Sequence, residues 1–84
     1  MSQYEKLMLK ILIGNQDSNI SFSDLQKVLE TLGFDVRIKG DHYIYTKSGI
    51  DEIINIQPKG NKAKAYQVKQ VRNLIIKYRI GGIE

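Results

Sequence analysis

A two-layer α+β domain, with a three-stranded antiparallel sheet carrying helices on one face in the order α-α-β-β-β-α, is the fold this sequence predicts. Three observations predict it. Apolar residues recur at helical spacing twice before Gly33 and once more after Ala65. Between those stretches the period falls to two. The turns separating the alternating segments are short and contain glycine, which makes consecutive strands antiparallel neighbours. A chain of 84 residues holds one core, because a second would leave neither half enough apolar surface to offset chain entropy, so residues 1–84 read as a single domain.

In the first helix Tyr4, Leu7, Met8, Ile11 and Leu12 form one apolar stripe that ends near Gly14, and "GNQDSN" then reads as a loop. The second helix opens at Ser21, whose hydroxyl suits an N-cap, with Asp24 as the reciprocal half of a capping box and Ile20 stapled to Leu25. Its buried face is Leu25, Val28, Leu29 and Leu32, and Gly33 follows as the left-handed stop. Phe34, Val36 and Ile38 alternate with Asp35, Arg37 and Lys39, as in a half-buried strand. "KGD" turns the chain into a second strand from His42 to Lys47, and "KSGID" supplies the next turn. Glu52 to Gln57 makes the third strand before Pro58 and Gly60. From Ala65 onward Val68, Val71, Leu74, Ile75 and Tyr78 return to helical spacing, with Lys69 and Arg72 off the stripe and Gly81 and Gly82 ending the helix.

Composition narrows the chemistry. The absence of cysteine excludes disulfides, thiolate catalysis and cysteine-based zinc frameworks, and a single histidine excludes a histidine metal cluster, so a metal site would need carboxylates; no cofactor is expected. The longest apolar run, Leu7 to Ile13, is interrupted by Lys10 and is too short to span a bilayer. No Arg-rich or signal-type leader precedes it, and a soluble cytoplasmic protein is the expectation. Charge is polarised: residues 1–58 balance to −2 and residues 59–84 to +6. That asymmetry favours a polyanionic partner, with nucleic acid and an acidic protein surface as the two alternatives.

Two groups of residues stand out. His42 begins a strand just after a tight glycine turn, so rigid backbone holds an imidazole, the side chain that ordinarily changes charge between about pH 5 and 8. An ordinary sheet histidine is the competing account. Asp41 precedes it, but strand neighbours point to opposite faces, which predicts a turn-forming role for the carboxylate and no convergence with His42. The segment "KGNKAKAYQVKQ" places Lys59, Lys62 and Lys64 in a loop and Lys69 in the first turns of the last helix, where free amides and the helix dipole attract phosphate. A solvated connector is the alternative there. Tyr43, Tyr45 and Tyr66 are candidates for base stacking, although tyrosines in strands are more often packing residues.

The run "ISFSDLQKVLETLGFDVRIKGDHYIY" through "IINIQPKGNKAKAYQVKQVRNLIIKY", from Ile20 to Tyr78, resembles the HicA family of toxin-antitoxin ribonucleases. A helix, "LGF", a strand, a glycine turn before the histidine, an alternating strand, a third strand and a closing helix occur in the family's order. The resemblance implies a fold like the double-stranded-RNA-binding domain, with residues 20–78 as core and residues 1–19 as an additional helix and loop. It implies an mRNA-cleaving toxin with His42 as the catalytic residue and a HicB-type antitoxin as partner. Phosphate neutralisation would then fall to Lys47, Lys59, Lys62, Lys64 and Lys69. The sequence departs from the family at Asp41, usually serine, and at Tyr43, frequently a second histidine. A carboxylate there would stabilise imidazolium and repel the scissile phosphate. A non-catalytic double-stranded-RNA-binding module and a protein-interaction domain are the alternative functions.

Overall fold

Local chemistry sets both ends of the first helix, α1 (Gln3–Ile13), in the computed structural model, which describes residues 2–81. The Ser2 hydroxyl accepts from the Glu5 N–H while the Glu5 carboxylate accepts from the Ser2 N–H, and Gly14 closes the helix in the left-handed region at φ 79°. Met8 and Ile11 are buried, with Tyr4, Leu7 and Leu12 packed beside them. The expected loop contains a 3-10 turn, Asp17–Asn19. At the start of α2 (Phe22–Thr31) the Ser21 hydroxyl accepts from the Asp24 N–H. The return bond of the predicted capping box is not made, since an aspartate is one methylene shorter than the glutamate that usually reaches back. Helix α2 stops where expected: Gly33, at φ 92°, donates to the Glu30 carbonyl and Phe34 donates to that of Leu29.

Three antiparallel strands follow in the order β1 (Asp35–Lys39), β2 (His42–Lys47), β3 (Ile50–Ile56). Gly40 and Asp41 make the first turn, with Gly40 at φ 64°, and Lys39 pairs directly with His42. Tyr43 opposes Ile56 and Tyr45 opposes Ile54, and this face of the sheet joins the helices in one core. Tyr45, Ile54, Ile56, Leu25, Val28 and Ile75 are fully buried there. The segment expected to be a loop is a second, two-stranded hairpin, β4 (Pro58–Lys59) and β5 (Lys62–Ala63), turning at Gly60 and Asn61. Backbone bonds from Phe22 to the Asn61 carbonyl and from Ala63 to the Ile20 carbonyl, both 2.9 Å, fasten it to the start of α2. The last described element is α3 (Ala65–Tyr78), whose buried apolar stripe is Val68, Val71, Leu74 and Ile75.

Two expectations are corrected. Val36 and Ile38 lie on the helix-facing side, opposite Tyr45 and Tyr43, yet are 42% and 60% exposed. β1 is an edge strand and the helical layer does not reach it, so alternation there marks a face without burying it. Helix α3 ends at Tyr78, before the glycines: Arg79 takes the left-handed conformation at φ 53° and its N–H donates to the Ile75 carbonyl. Gly82, the other expected terminator, lies outside the described residues.

Arg72, although off the apolar stripe, is drawn inward. Its Nη1 donates to the Asp17 carboxylate at 2.7 Å and to the Ile11 carbonyl at 3.2 Å, with the two side chains only 14% and 20% exposed. The bond to Ile11 satisfies a carbonyl that the end of α1 would otherwise leave without an intrahelical partner. We predict that Arg72→Met lowers stability by about 1–3 kcal/mol in urea unfolding, because it leaves a half-buried carboxylate and a carbonyl unpaired. Asp17→Asn together with Arg72→Met should cost less than the sum of the single changes, and strict additivity would show that the two side chains are not coupled.

Candidate functional site

The strand period and the register build the site. His42, Ile44 and Thr46 project from β2 away from the helices, and the pairings of Tyr43 with Ile56 and Ile44 with Asn55 bring Gln57 across from His42. On the other side Lys39 opposes His42 and Arg37 opposes Ile44. The open face of the sheet therefore groups one imidazole, two amides and two cations. The imidazole is nearly half exposed at 46%. Its Nδ1 lies 3.1 Å from Asn55 Oδ1 and its Nε2 3.4 Å from the Gln57 amide nitrogen, which donates to the Asp41 carboxylate at 3.1 Å.

Asp41 thus corrects the expectation that it would point away from His42: its Oδ1 is 3.8 Å from Nε2. The alternation rule governs residues within a pleated strand, and Asp41 sits in the turn before β2 begins. Nothing in the sequence marks Asn55 or Gln57 as a site residue. Period two from the end of the third strand would have placed both on one face, but only the register assigns that face to His42.

The basic residues divide. Lys59, Lys62 and Lys64 line a surface hollow of about 670 Å³ with Ser18 and Tyr66, at the point where the β4–β5 hairpin meets the N-terminus of α3. Lys62 is held by Asn19 Oδ1 at 2.7 Å, whereas Lys59 is exposed. Lys69 lines the neighbouring groove with Glu52, Gln70, Asn73 and Lys77, and Tyr66, 62% exposed, borders both. Lys59 follows Gln57 by two residues, so their Cα atoms are at most about 7 Å apart, which ties the hairpin to the His42 end of the sheet. Lys47 is at the other end of β2, roughly 17 Å of strand from His42, with its ammonium beside Gly33. Of the tyrosines, Tyr45 is buried and Tyr43 packs edge-on against Phe22 at 5.0 Å, leaving Tyr66 as the ring open to a partner. Among the described residues no group of three His, Cys, Asp or Glu side chains could hold a metal ion.

Residues 22–77 match the family model for the HicA toxin of bacterial toxin-antitoxin systems, a span that contains the whole sheet, the lysine hairpin and nearly all of α3. The chain belongs to the HicA toxin family. It is the toxin member of a toxin-antitoxin pair, and the family implies a HicB-type antitoxin as its partner. No curated protein and no solved structure matches the chain. Helix α1 and the 3-10 turn lie outside the matched span, so the Arg72 clasp joins the matched α3 to a part of the chain that the family model does not cover. No described helix is long and apolar enough to cross a membrane.

One carboxylate beside the lysine groove is held firmly. Glu52 accepts from Lys77 Nζ at 2.8 Å and from the Tyr78 hydroxyl, and these two bonds, that of Lys77 foremost, lower its pKa to about 2. The same ion pair raises the pKa of Lys77. Because the folded carboxyl titrates below its unfolded value, its stabilising effect is complete above about pH 4.5 and disappears as pH falls towards about 2. Thermal melts across that interval should show wild-type protein losing more of its melting temperature than Glu52→Gln does, and equal losses would mean that the pair does not favour the folded state.

Proposed function

We propose that this HicA toxin is an RNA-binding endoribonuclease that cleaves mRNA in the cytoplasm without a metal ion, using His42 for proton transfer. The observation that carries the reading is a half-exposed imidazole on the uncovered sheet face, at the end of the sheet from which the lysine hairpin departs. An RNA strand running from the hollow towards His42 would have its phosphates neutralised by Lys59, Lys62, Lys64 and Lys69, with the free amides at the start of α3 adding dipole. Lys39 and Arg37, opposite His42 and Ile44, extend positive charge to the site. Lys47, at the far end of β2, would meet a more distant phosphate.

The chemistry needs two proton transfers. As the ribose 2′-oxygen attacks phosphorus and the bond to the 5′-oxygen breaks, one proton leaves the hydroxyl and another reaches the departing oxygen, giving a cyclic phosphate and a free 5′-hydroxyl. A single histidine performs one of these at a time, as base or as acid, and a lysine or water supplies the other, so turnover is slow. The Asp41 carboxylate, 72% exposed near Nε2, repels the incoming phosphate and attenuates the rate further. In the resting pair the HicB-type antitoxin covers His42 and the hairpin.

His42→Ala should fold like wild type, since the ring lies outside the core, and should lose RNA cleavage by a factor of about 100 or more together with growth arrest on expression. Equal cleavage and toxicity in both proteins would reject the assignment. Retained RNA binding without cleavage in either protein would make the chain a non-catalytic RNA-binding module.

Binding carries its own expectation. On single-stranded RNA each phosphate contact contributes about 0.7 to the slope of log affinity against log salt, so Lys59→Ala with Lys69→Ala should flatten the slope by roughly 1.4 for every RNA sequence. The control is Lys6→Ala on α1, outside the family match. A control that weakens binding as much as the pair does would make the affinity a diffuse effect of net charge.

A further inference from the structure

We infer that Asn55 and Gln57 are positioning residues that hold the His42 ring in a single tautomer, protonated on Nδ1, so that Nε2 carries the lone pair and is the nitrogen that meets substrate. The inference rests on the ribonuclease reading of His42 and sharpens it: a neutral ring with its lone pair facing outward begins the reaction as the base.

The argument starts at Asp41. An ionised carboxylate only accepts hydrogen bonds, so the Gln57 side chain, 3.1 Å away, must turn its NH2 group towards it and not its carbonyl. That same nitrogen lies 3.4 Å from His42 Nε2, so the hydrogen not given to Asp41 is the one it offers to the ring. A ring nitrogen that receives a donor must present its lone pair, so Nε2 is unprotonated and the proton of the neutral imidazole resides on Nδ1. Nδ1 meets Asn55 Oδ1 at 3.1 Å, an oxygen that can only accept, and the arrangement closes with every donor facing an acceptor.

The opposite tautomer fails at both nitrogens. An N–H on Nε2 would confront the Gln57 NH2 group, and a lone pair on Nδ1 would confront the Asn55 oxygen. Flipping both amides restores those two contacts but sets the Gln57 carbonyl against the Asp41 carboxylate. Asp41 therefore breaks the degeneracy through the Gln57 amide, since its own Oδ1, 3.8 Å from Nε2, is beyond hydrogen-bond distance of the ring.

The two amides differ in how they are held. Asn55 belongs to β3, paired opposite Ile44, and its bond to the ring is the shorter. Gln57 lies between β3 and β4, and its longer contact to Nε2 is the one a ribose hydroxyl would replace. Asn55 keeps the tautomer while Gln57 gives way.

His42 is the single histidine of the chain, so its ring nitrogens give isolated signals in long-range proton–nitrogen spectra of uniformly labelled protein. At about pH 8.5, above the ordinary range of imidazole titration, wild type should show Nδ1 with the shift of a protonated nitrogen and Nε2 with that of a lone-pair nitrogen. Asn55→Leu should move both shifts towards each other as the tautomers mix, Gln57→Leu should do the same to a smaller extent, and Asn55→Asp, which keeps the acceptor, should retain the wild-type pattern. In cleavage assays Asn55→Leu should lower kcat by roughly tenfold with KM little changed. A wild-type ring protonated on Nε2, or ring shifts indifferent to Asn55→Leu in a protein with wild-type amide spectra, would overturn the inference. Undiminished cleavage by His42→Ala would overturn the catalytic role of the ring while leaving the nitrogen shifts as they were, so the two failures are told apart.

Discussion

Everything at the candidate site depends on the register of β2 against β3. Tyr45 opposite Ile54 and Tyr43 opposite Ile56 put these side chains on the helix-facing side, where three of the four are fully buried. A slip of one residue would turn that set to solvent and drive His42, Asn55 or Gln57 into the core, at a cost set by apolar area exposed and polar groups left unpaired. The packing that stabilises one face of the sheet thereby fixes which polar side chains meet on the other. The imidazole and its amides are aligned by a core they do not touch.

The lysine hairpin is fixed by a second route. It leaves β3 immediately after Gln57, and two backbone bonds join it to Ile20 and Phe22 at the start of α2. Ile20, Phe22 and Ala63 are buried at that junction, so the positive charge rides on structure that cannot swing freely. Basic charge that looks merely clustered in sequence becomes a track, with Tyr66 between the hollow of Lys59, Lys62 and Lys64 and the groove of Lys69 and Lys77.

Two carboxylates show how differently one residue class is used. Glu52 lies on the helix-facing side of β3 and is locked by Lys77 and Tyr78, a bond between sheet and final helix that also keeps its negative charge from acting freely on the groove. Asp41, in an exposed turn, accepts from the Gln57 amide and lies beside the edge of the imidazole, and its charge remains available to the site. Arg72 and Asp17 perform for α1 what Glu52 and Lys77 perform for β3, joining an outlying element to α3.

By itself the sequence determined the order of helices and strands, the stripes Leu25–Val28–Leu29–Leu32 and Val68–Val71–Leu74–Ile75, and the helix stops at Gly14 and Gly33. These follow from period and from local backbone sterics, which act within a few residues. Sequence order also carried the HicA resemblance, and the lone histidine and clustered lysines were visible as residue types. Only the tertiary structure decided what lay opposite them. Val36 and Ile38 have the alternation of a buried strand, but burial requires a covering layer, and none reaches that edge. Arg79 could replace glycine as the terminator of α3 because the chain beyond it packs back, with Ile80 partly buried against the core. Asp41 converges on His42 because a turn is exempt from the strand's alternation, and Asn55 and Gln57 gain their meaning from a cross-strand register 13 and 15 residues distant in the chain. A neutral amide has no chemical signature in a sequence, since its role is set by whether its partner can donate or accept, and folding chooses that partner.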